Sequence, residues 1–176
     1  IVGHEAGSAI TNDSQNTLIG YQAGLVLTDS QNTLIGYQAG KALVGKAGNT
    51  FVGGSAGVSA TSEQAVGIGY GGMDGGNAVD SIGIGYDALG GAIHGNASLG
   101  LKNLAIGNYS LDALTEGNNN IAIGYNSGTA VTSGDDNIMI GHQSGDNITT
   151  GHQNVVIGGA DVASATGDSQ LSISDG

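Results

Sequence analysis

The 176-residue chain contains no cysteine, no proline and no tryptophan, and it has only one phenylalanine. Because cysteine is absent, neither disulfides nor thiolate metal sites can hold the fold together. The absence of proline is typical of uninterrupted strand ladders, which need a hydrogen bond from each backbone N–H. No run of about 18 apolar residues occurs, so the sequence predicts no insertion into a membrane.

Positive charge is also scarce. The chain has three lysines and no arginine against 15 acidic residues, which gives a net charge of −12. Binding to a phosphate backbone requires lysine and arginine, so we expect no nucleic-acid partner. The excess of acidic residues is typical of a surface that keeps a protein soluble.

Glycine is abundant, at 35 residues, and much of it belongs to an internal repeat. The phrase Asn16-Thr-Leu-Ile-Gly-Tyr-Gln-Ala-Gly24 returns unchanged at residues 32–40, and with substitutions at 49–57, 120–128 and 137–145. Its central glycine, which we call the anchor glycine, recurs every 16 or 17 residues, with one step of 22. The anchor glycines are Gly3, Gly20, Gly36, Gly53, Gly69, Gly85, Gly107, Gly124, Gly141 and Gly158.

A period this short predicts stacked β coils, because the known helical repeats need roughly 30 residues or more. We predict an all-β fold, a parallel β-solenoid (β-roll) of about ten 16–17-residue coils, each with two short strands and two turns. This repeat domain covers residues 1–162, and residues 163–176 form a C-terminal boundary segment. The long step predicts an irregular insertion near residues 90–103, and a degenerate partial repeat at Leu99-Gly100-Leu101 is the alternative.

Two apolar columns stand on the predicted strands. The residue before each anchor glycine is β-branched, and we predict that it points into the coil. This predicted core ladder is Ile19, Ile35, Val52, Ile68, Ile84, Ile106, Ile123, Ile140 and Ile157. The residue before it points the other way, and its apolar character predicts a face buried between chains. That predicted interchain face includes Leu18, Leu34, Phe51, Met139 and Val156. A mixed surface is the alternative, because folded proteins expose much apolar area.

Two further columns are aromatic and polar. The position after the anchor glycine carries a ring in most coils, namely Tyr21, Tyr37, Tyr70, Tyr86, Tyr125 and His142. Such a ladder is suited either to contact with glycan rings or to packing between chains. Asparagine opens most phrases, where it tolerates left-handed backbone and can bond from coil to coil.

No catalytic or cofactor-binding pattern is recognisable. Gly67-Ile-Gly-Tyr-Gly-Gly72 has the glycines of a dinucleotide loop, but it belongs to the repeat and no βαβ unit follows. We find no serine–histidine–aspartate or paired-carboxylate arrangement, so we predict no enzyme activity, no cofactor and no dedicated metal site. Asp74-Gly-Gly-Asn77 is a fragment of a calcium β-roll motif, which leaves incidental Ca²⁺ binding open. Ice binding requires a longer threonine array than Thr17, Thr33 and Thr50.

The repeat resembles two related families of surface fibres. Asn16-Thr-Leu-Ile-Gly-Tyr-Gln-Ala23 and Ser81-Ile-Gly-Ile-Gly-Tyr-Asp-Ala-Leu89 are similar to the Asn-Thr-x-x-Gly-Tyr-x-Ala repeats of phage tail fibres. Asn103-Leu-Ala-Ile-Gly107 and Asn120-Ile-Ala-Ile-Gly124 are similar to phrases in the heads of trimeric autotransporter adhesins, which form a left-handed parallel β-roll.

The resemblance implies a homotrimeric module at an extracellular or virion surface. Its expected work is reach combined with multivalent contact to host-surface glycans, most of all in a phage tail fibre. The expected partners are other copies of the chain and cell-surface carbohydrate. Three alternatives stay open: a self-assembling extracellular filament subunit, a bacterial adhesin head, and a monomeric ice- or calcium-binding solenoid.

Overall fold

A computed structural model describes residues 1–11, 15–91 and 101–174 of the chain. These residues form strands and turns but no helix, so they contain no helical segment suited to crossing a membrane. The strands are β1 (Thr17–Ile19), β2 (Thr33–Ile35), β3 (Thr50–Val52), β4 (Ser59–Ala60), β5 (Val66–Ile68), β6 (Gly75–Gly76), β7 (Ile82–Ile84), β8 (Leu104–Ile106), β9 (Ile121–Ile123), β10 (Ile138–Ile140), β11 (Val155–Ile157) and β12 (Leu171–Ile173).

Ten of these strands form one parallel sheet in the order β1-β2-β3-β5-β7-β8-β9-β10-β11-β12, so the chain makes about nine turns between the first and the last. Equivalent positions of the repeat pair with each other, as Leu18 does with Leu34 and Leu34 with Phe51. Strands β4 and β6 form a separate two-stranded parallel sheet. The prediction of an all-β parallel solenoid is confirmed.

The large sheet extends beyond the boundary predicted at residue 162. Strand β12 lies in the segment 163–176 and pairs with β11 in parallel, so the solenoid continues into this segment. Strands β7 and β8 pair directly across the long step, so they are neighbours in the sheet. Most of the predicted insertion near residues 90–103 falls on residues 92–100, which lie outside the described residues.

The interior of the coil is formed by the column that we predicted to lie between chains. Leu18, Leu34, Phe51, Met139 and Val156 are all fully buried. The predicted core ladder faces outward, and its members are half-buried or exposed: Ile19, Ile35, Val52, Ile68, Ile84, Ile106, Ile123, Ile140 and Ile157. Both assignments are therefore wrong, and they are wrong together because neighbouring strand residues point to opposite faces.

The physical reason is that β-branching suits a sheet surface whether or not that surface is buried. What marks the true interior is compensation in size between two columns. The residue four positions after the anchor glycine is Gly57 in the coil of Phe51, and a Cβ there would overlap the Phe51 ring. In the coil of Gly67 the same position holds Met73, whose side chain is buried. The large side chain can therefore come from the strand or from the turn.

Anchor glycines and asparagines keep neighbouring coils in register. At Gly20 the backbone has a φ of +134°, and an added Cβ would collide with the carbonyl group of Gly36 in the next coil. Glycine is thus required here for conformation and for close approach. Buried asparagines bond from coil to coil as predicted: Asn137 Nδ2 donates to Asn120 Oδ1, and Asn154 Nδ2 donates to Asn137 Oδ1, both at 3.0 Å.

Candidate functional site

The outer face of the large sheet carries two columns of side chains, one from the first residue of each strand and one from the third. We call these two columns the outer sheet face. The first column is Thr17, Thr33, Thr50, Val66, Ile82, Leu104, Ile121, Ile138, Val155 and Leu171. The second column is Ile19, Ile35, Val52, Ile68, Ile84, Ile106, Ile123, Ile140, Ile157 and Ile173.

The outer sheet face contains no charged residue, although the chain has a net charge of −12. Ile19, Ile68, Ile140 and Ile157 are 38–42% exposed. Ten strands about 4.8 Å apart and three residues long form a face on the order of 400 Å². The largest apolar patch on a typical soluble monomer has about this size and is often functional. The face is suited to burial against another flat surface.

One border of the outer sheet face is polar. The residue two positions before each strand of the large sheet lies at a left-handed backbone angle, with φ of 63° at Gln15, 65° at Gln31, 55° at Gln64 and 59° at Gln153. These glutamine side chains are exposed. An apolar patch with a polar rim is typical of an interaction surface.

The other border is an aromatic ladder, which begins with a stack of three rings. His4 and Tyr21 have ring centroids 5.6 Å apart, and Tyr21 and Tyr37 have centroids 5.4 Å apart. The planes of each pair lie within 11° of parallel. The stack ends at Tyr37 because the next coil has Gly54 at this position.

A second stack of rings begins in the coil after Gly54. Tyr70 and Tyr86 stack at 5.5 Å, and Tyr125 and His142 also stack at 5.5 Å. Tyr109 joins these two pairs: its ring lies 5.3 Å from Tyr86 in a tilted arrangement and 6.2 Å from Tyr125 in an edge-on one. The six residues predicted to form a ladder therefore lie in one column that Gly54 divides.

Sequence reasoning missed Tyr109 as a member of the ladder. Tyr109 stands two positions after its anchor glycine, and Asn108 occupies the usual aromatic position. Asn108 Oδ1 accepts a hydrogen bond from the backbone N–H of Tyr86 at 3.0 Å, and Tyr109 supplies the ring. The available signal was that the sixth tyrosine of the chain falls in the coil where the column lacks a ring.

A polar column runs beside the aromatic ladder, two positions after each anchor glycine. Gln22 Nε2 donates to Glu5 Oε2 at 2.6 Å, and Gln38 Nε2 donates to Gln22 Oε1 at 2.9 Å. The column then continues with Ser55, whose side chain is too short to extend the series, and with Gly71, which has no side chain. Both columns are thus interrupted in the same part of the rod.

Three carboxyl groups lie close to this interruption along the rod. Burial raises the pKa of Asp74, Asp87 and Asp112 above the usual range of aspartate. The negative charge of Asp87 raises the pKa of Asp74 and Asp112 further. The ionised forms of these three groups are therefore less stable in the fold than in open water.

The described part of the chain offers no metal-binding group of three or more histidine, cysteine or acidic side chains. His152 Nδ1 accepts a hydrogen bond from the backbone N–H of Asp135 at 3.0 Å, and it lies 3.4 Å from Asp135 Oδ2. This histidine therefore links two coils. Incidental Ca²⁺ binding at Asp74-Gly-Gly-Asn77 stays a prediction.

The outer sheet face and the interrupted aromatic ladder are the two surfaces that carry a functional argument. Comparison of the chain with protein-family models, with curated proteins and with solved structures finds no match in any of the three.

Proposed function

We propose that this chain is a structural and adhesive module of a homotrimeric extracellular fibre, as in a phage tail fibre. The observation that carries the proposal is the outer sheet face, which is uncharged and mostly apolar in a strongly acidic chain. Three copies would turn their outer sheet faces toward a common axis and remove them from water. The resemblance of the repeat to fibre families favours three copies.

The periodicity of the face favours a second copy of the same chain as its partner. Side chains recur along each column at the strand spacing of about 4.8 Å. A partner can place its side chains between those of the outer sheet face along the full length of the rod only if it has the same period. An identical chain has that period by construction, whereas an unrelated protein would match it over a few coils only.

A trimer of this kind would serve as a stiff spacer with repeated contact sites. Each coil is bonded to its neighbours by the sheet and by the asparagine ladder, so the rod resists bending. Three rods in parallel present every surface loop three times. Weak contacts to cell-surface carbohydrate would then gain strength by multivalency.

The first test is the mass of the purified segment, measured by light scattering behind a sizing column. We expect about three chains per particle. The double variant Ile123→Lys with Ile140→Lys places two charges on the outer sheet face and should yield folded monomers, because the charges would otherwise lose water on association. The matched control, Val26→Lys with Val44→Lys, changes exposed valines outside this face and should stay trimeric.

Other outcomes would overturn the proposal. A monomeric wild type with the same mass as the face variant would mean that the outer sheet face has no partner copy. A polydisperse species that grows with concentration would favour a self-assembling filament instead. The same samples with Ca²⁺ and with chelator test the calcium alternative, which predicts a large difference in melting temperature.

A further inference from the structure

We propose that the gap in the aromatic ladder at Gly54 is a binding notch for one neutral hexopyranose ring. The notch lies between Tyr37 and Tyr70, with Gly54 at its base and Gln38 and Ser55 beside it. This inference deepens the proposed adhesive function and rests on it for biological context. The contact itself needs only one chain.

The gap in the ladder exposes aromatic faces. Inside the stacks, ring faces are covered by neighbouring rings and cannot contact a ligand. Tyr37 stacks on Tyr21 with one face, and Tyr70 stacks on Tyr86 with one face. Tyr37 and Tyr70 are 56% and 58% exposed, against 42% and 41% for Tyr21 and Tyr86. The extra exposure falls on the two rings that border the gap.

The size of the gap suits one sugar ring. One coil without a ring separates Tyr37 from Tyr70, which corresponds to two strand spacings, roughly 10 Å. Tyr70 leans over the glycine, because its Cδ2 lies 3.3 Å from the position that a Cβ of Gly54 would take. Tyr37 therefore offers the open platform and Tyr70 forms a wall. A single sugar ring, stacked on Tyr37 at about 4.5–5.5 Å, fills such a space.

The backbone does not require a glycine at position 54. The anchor glycines have strained positive φ angles, as Gly53 does at +140°. Gly54 does not have a positive φ, so its backbone would accept a side chain without strain. Glycine at this position therefore leaves room beside the rings and is not needed for the backbone conformation.

Polar groups around the notch match the hydroxyls of a sugar. The Gln38 amide uses its Nε2 to bond Gln22, and its Oε1 accepts no hydrogen bond from the described residues. The Ser55 hydroxyl likewise bonds to none of them. An amide and a hydroxyl beside an aromatic platform can hold the edge of a pyranose while its apolar face stacks on the ring.

Charge selects among sugars. Because the chain has a net charge of −12, sialic and uronic acids would be repelled. The ligand class is therefore a neutral hexose whose apolar face carries axial hydrogens, as in β-glucosides and β-galactosides. One ring and a few hydrogen bonds give an expected Kd of about 1 mM for one site, which multivalency would strengthen on a fibre.

Saturation-transfer NMR with the methyl β-glycosides of glucose and galactose tests the notch on the whole segment. We expect saturation of the axial ring protons for at least one of the two glycosides in the wild type. The Gly54→Tyr variant completes the aromatic ladder once the Tyr70 ring moves away from the new Cβ, and it should lose the signal while keeping the wild-type circular dichroism. Tyr37→Leu should also lose the signal, whereas the control Tyr125→Leu should keep it.

The outcomes separate this inference from the proposed fibre. The monomeric Ile123→Lys with Ile140→Lys variant should retain the NMR signal for the free glycoside but bind a linear hexose polymer more weakly than the trimer does. Absence of glycoside signal in a trimeric wild type would overturn the notch and leave the fibre intact. Binding of p-cresol without either glycoside would assign the gap to an aromatic side chain and overturn the sugar site.

Discussion

The coils of β1–β3 and the coils of β5–β8 fill the same interior in opposite ways. In the first region the strand supplies the large side chain, as with Leu34 and Phe51, and the turn supplies Gly40 and Gly57. In the second region the strand supplies a glycine or an alanine, and the turn supplies a large residue. The strand–turn pairs of the second region are Gly67 with Met73, Gly83 with Leu89 and Ala105 with Leu111.

In these two regions the large interior side chain can come from the strand or from the turn. In the coil of Ala122 and Gly128 both positions are small, and Met139 and Leu111 of neighbouring coils reach toward Gly128 instead. The exchange has a conformational cost, because Met73, Leu89 and Leu111 lie at φ of 56°, 51° and 52°, where side chains are disfavoured. These residues occupy the position at which the first region has glycine. Burial of a large side chain offsets the strain, since it contributes roughly 1.5–3 kcal/mol.

The largest effect we expect is from a charge placed inside the first region. Leu34→Asp would bury an unpaired carboxylate in an apolar interior and should prevent folding of the segment. The neighbouring variant Ile35→Asp places the same charge on the outer sheet face and should fold, although association should be weaker. Circular dichroism and thermal melting measure the difference. Equal loss of structure in both variants would contradict the inward assignment of Leu34.

A second, smaller effect should come from exchanging the two ways of filling the coil. Phe51→Gly removes the largest interior side chain, and we expect a loss of about 3–5 kcal/mol, as for large-to-small core substitutions. Adding Gly57→Leu copies the pattern of Gly83 with Leu89 and should recover part of that loss. Urea unfolding of both variants, and of Gly57→Leu alone, gives the coupling free energy, which we expect at about 0.5–3 kcal/mol. Strict additivity would mean that the two positions do not share one space.

The period, the strands and the ladders could be predicted from the sequence because they recur in every coil. The direction of the strand faces could not be predicted from β-branching alone, and Ile123 and Met139 were assigned to the wrong sides. The correct signal was present as the inverse size relation between the strand position and the turn position, such as Phe51 with Gly57. That signal lies between columns, whereas each column was judged by its own composition.

The candidate notch was harder to predict because it depends on an exception to the repeat. Gly54 breaks the aromatic column, but its effect needs the geometry of the rings on either side. The number of rings in the sequence shows neither which faces are covered nor that Tyr70 leans over the gap. The candidate notch depends on a residue that departs from the repeat, and a prediction based on what the coils share overlooks such a residue.

The smallest effect we expect concerns the carboxyl groups of the second region. Asp74, Asp87 and Asp112 have raised pKa values, so the folded chain binds their protons more tightly than the unfolded chain does. Stability should therefore fall as the pH rises through these raised pKa values, and recover as the pH is lowered toward the ordinary aspartate pKa near 3.8. Asp87→Asn removes one such group and its repulsion of the other two. The variant should be more stable than wild type at pH 7, by less than about 1 kcal/mol because the groups are partly solvated.

Urea unfolding at pH 7 and at pH 4 checks this effect, because the advantage of Asp87→Asn should shrink at the lower pH. The control is Asp80→Asn, an exposed carboxylate in the same region whose left-handed backbone, with a φ of 56°, asparagine also tolerates. It should show no comparable pH-dependent gain. A stability difference that stays constant from pH 4 to pH 7 would show that Asp87 acts through packing instead of charge. The charges of these aspartates would then contribute nothing to the difference in stability between the two regions.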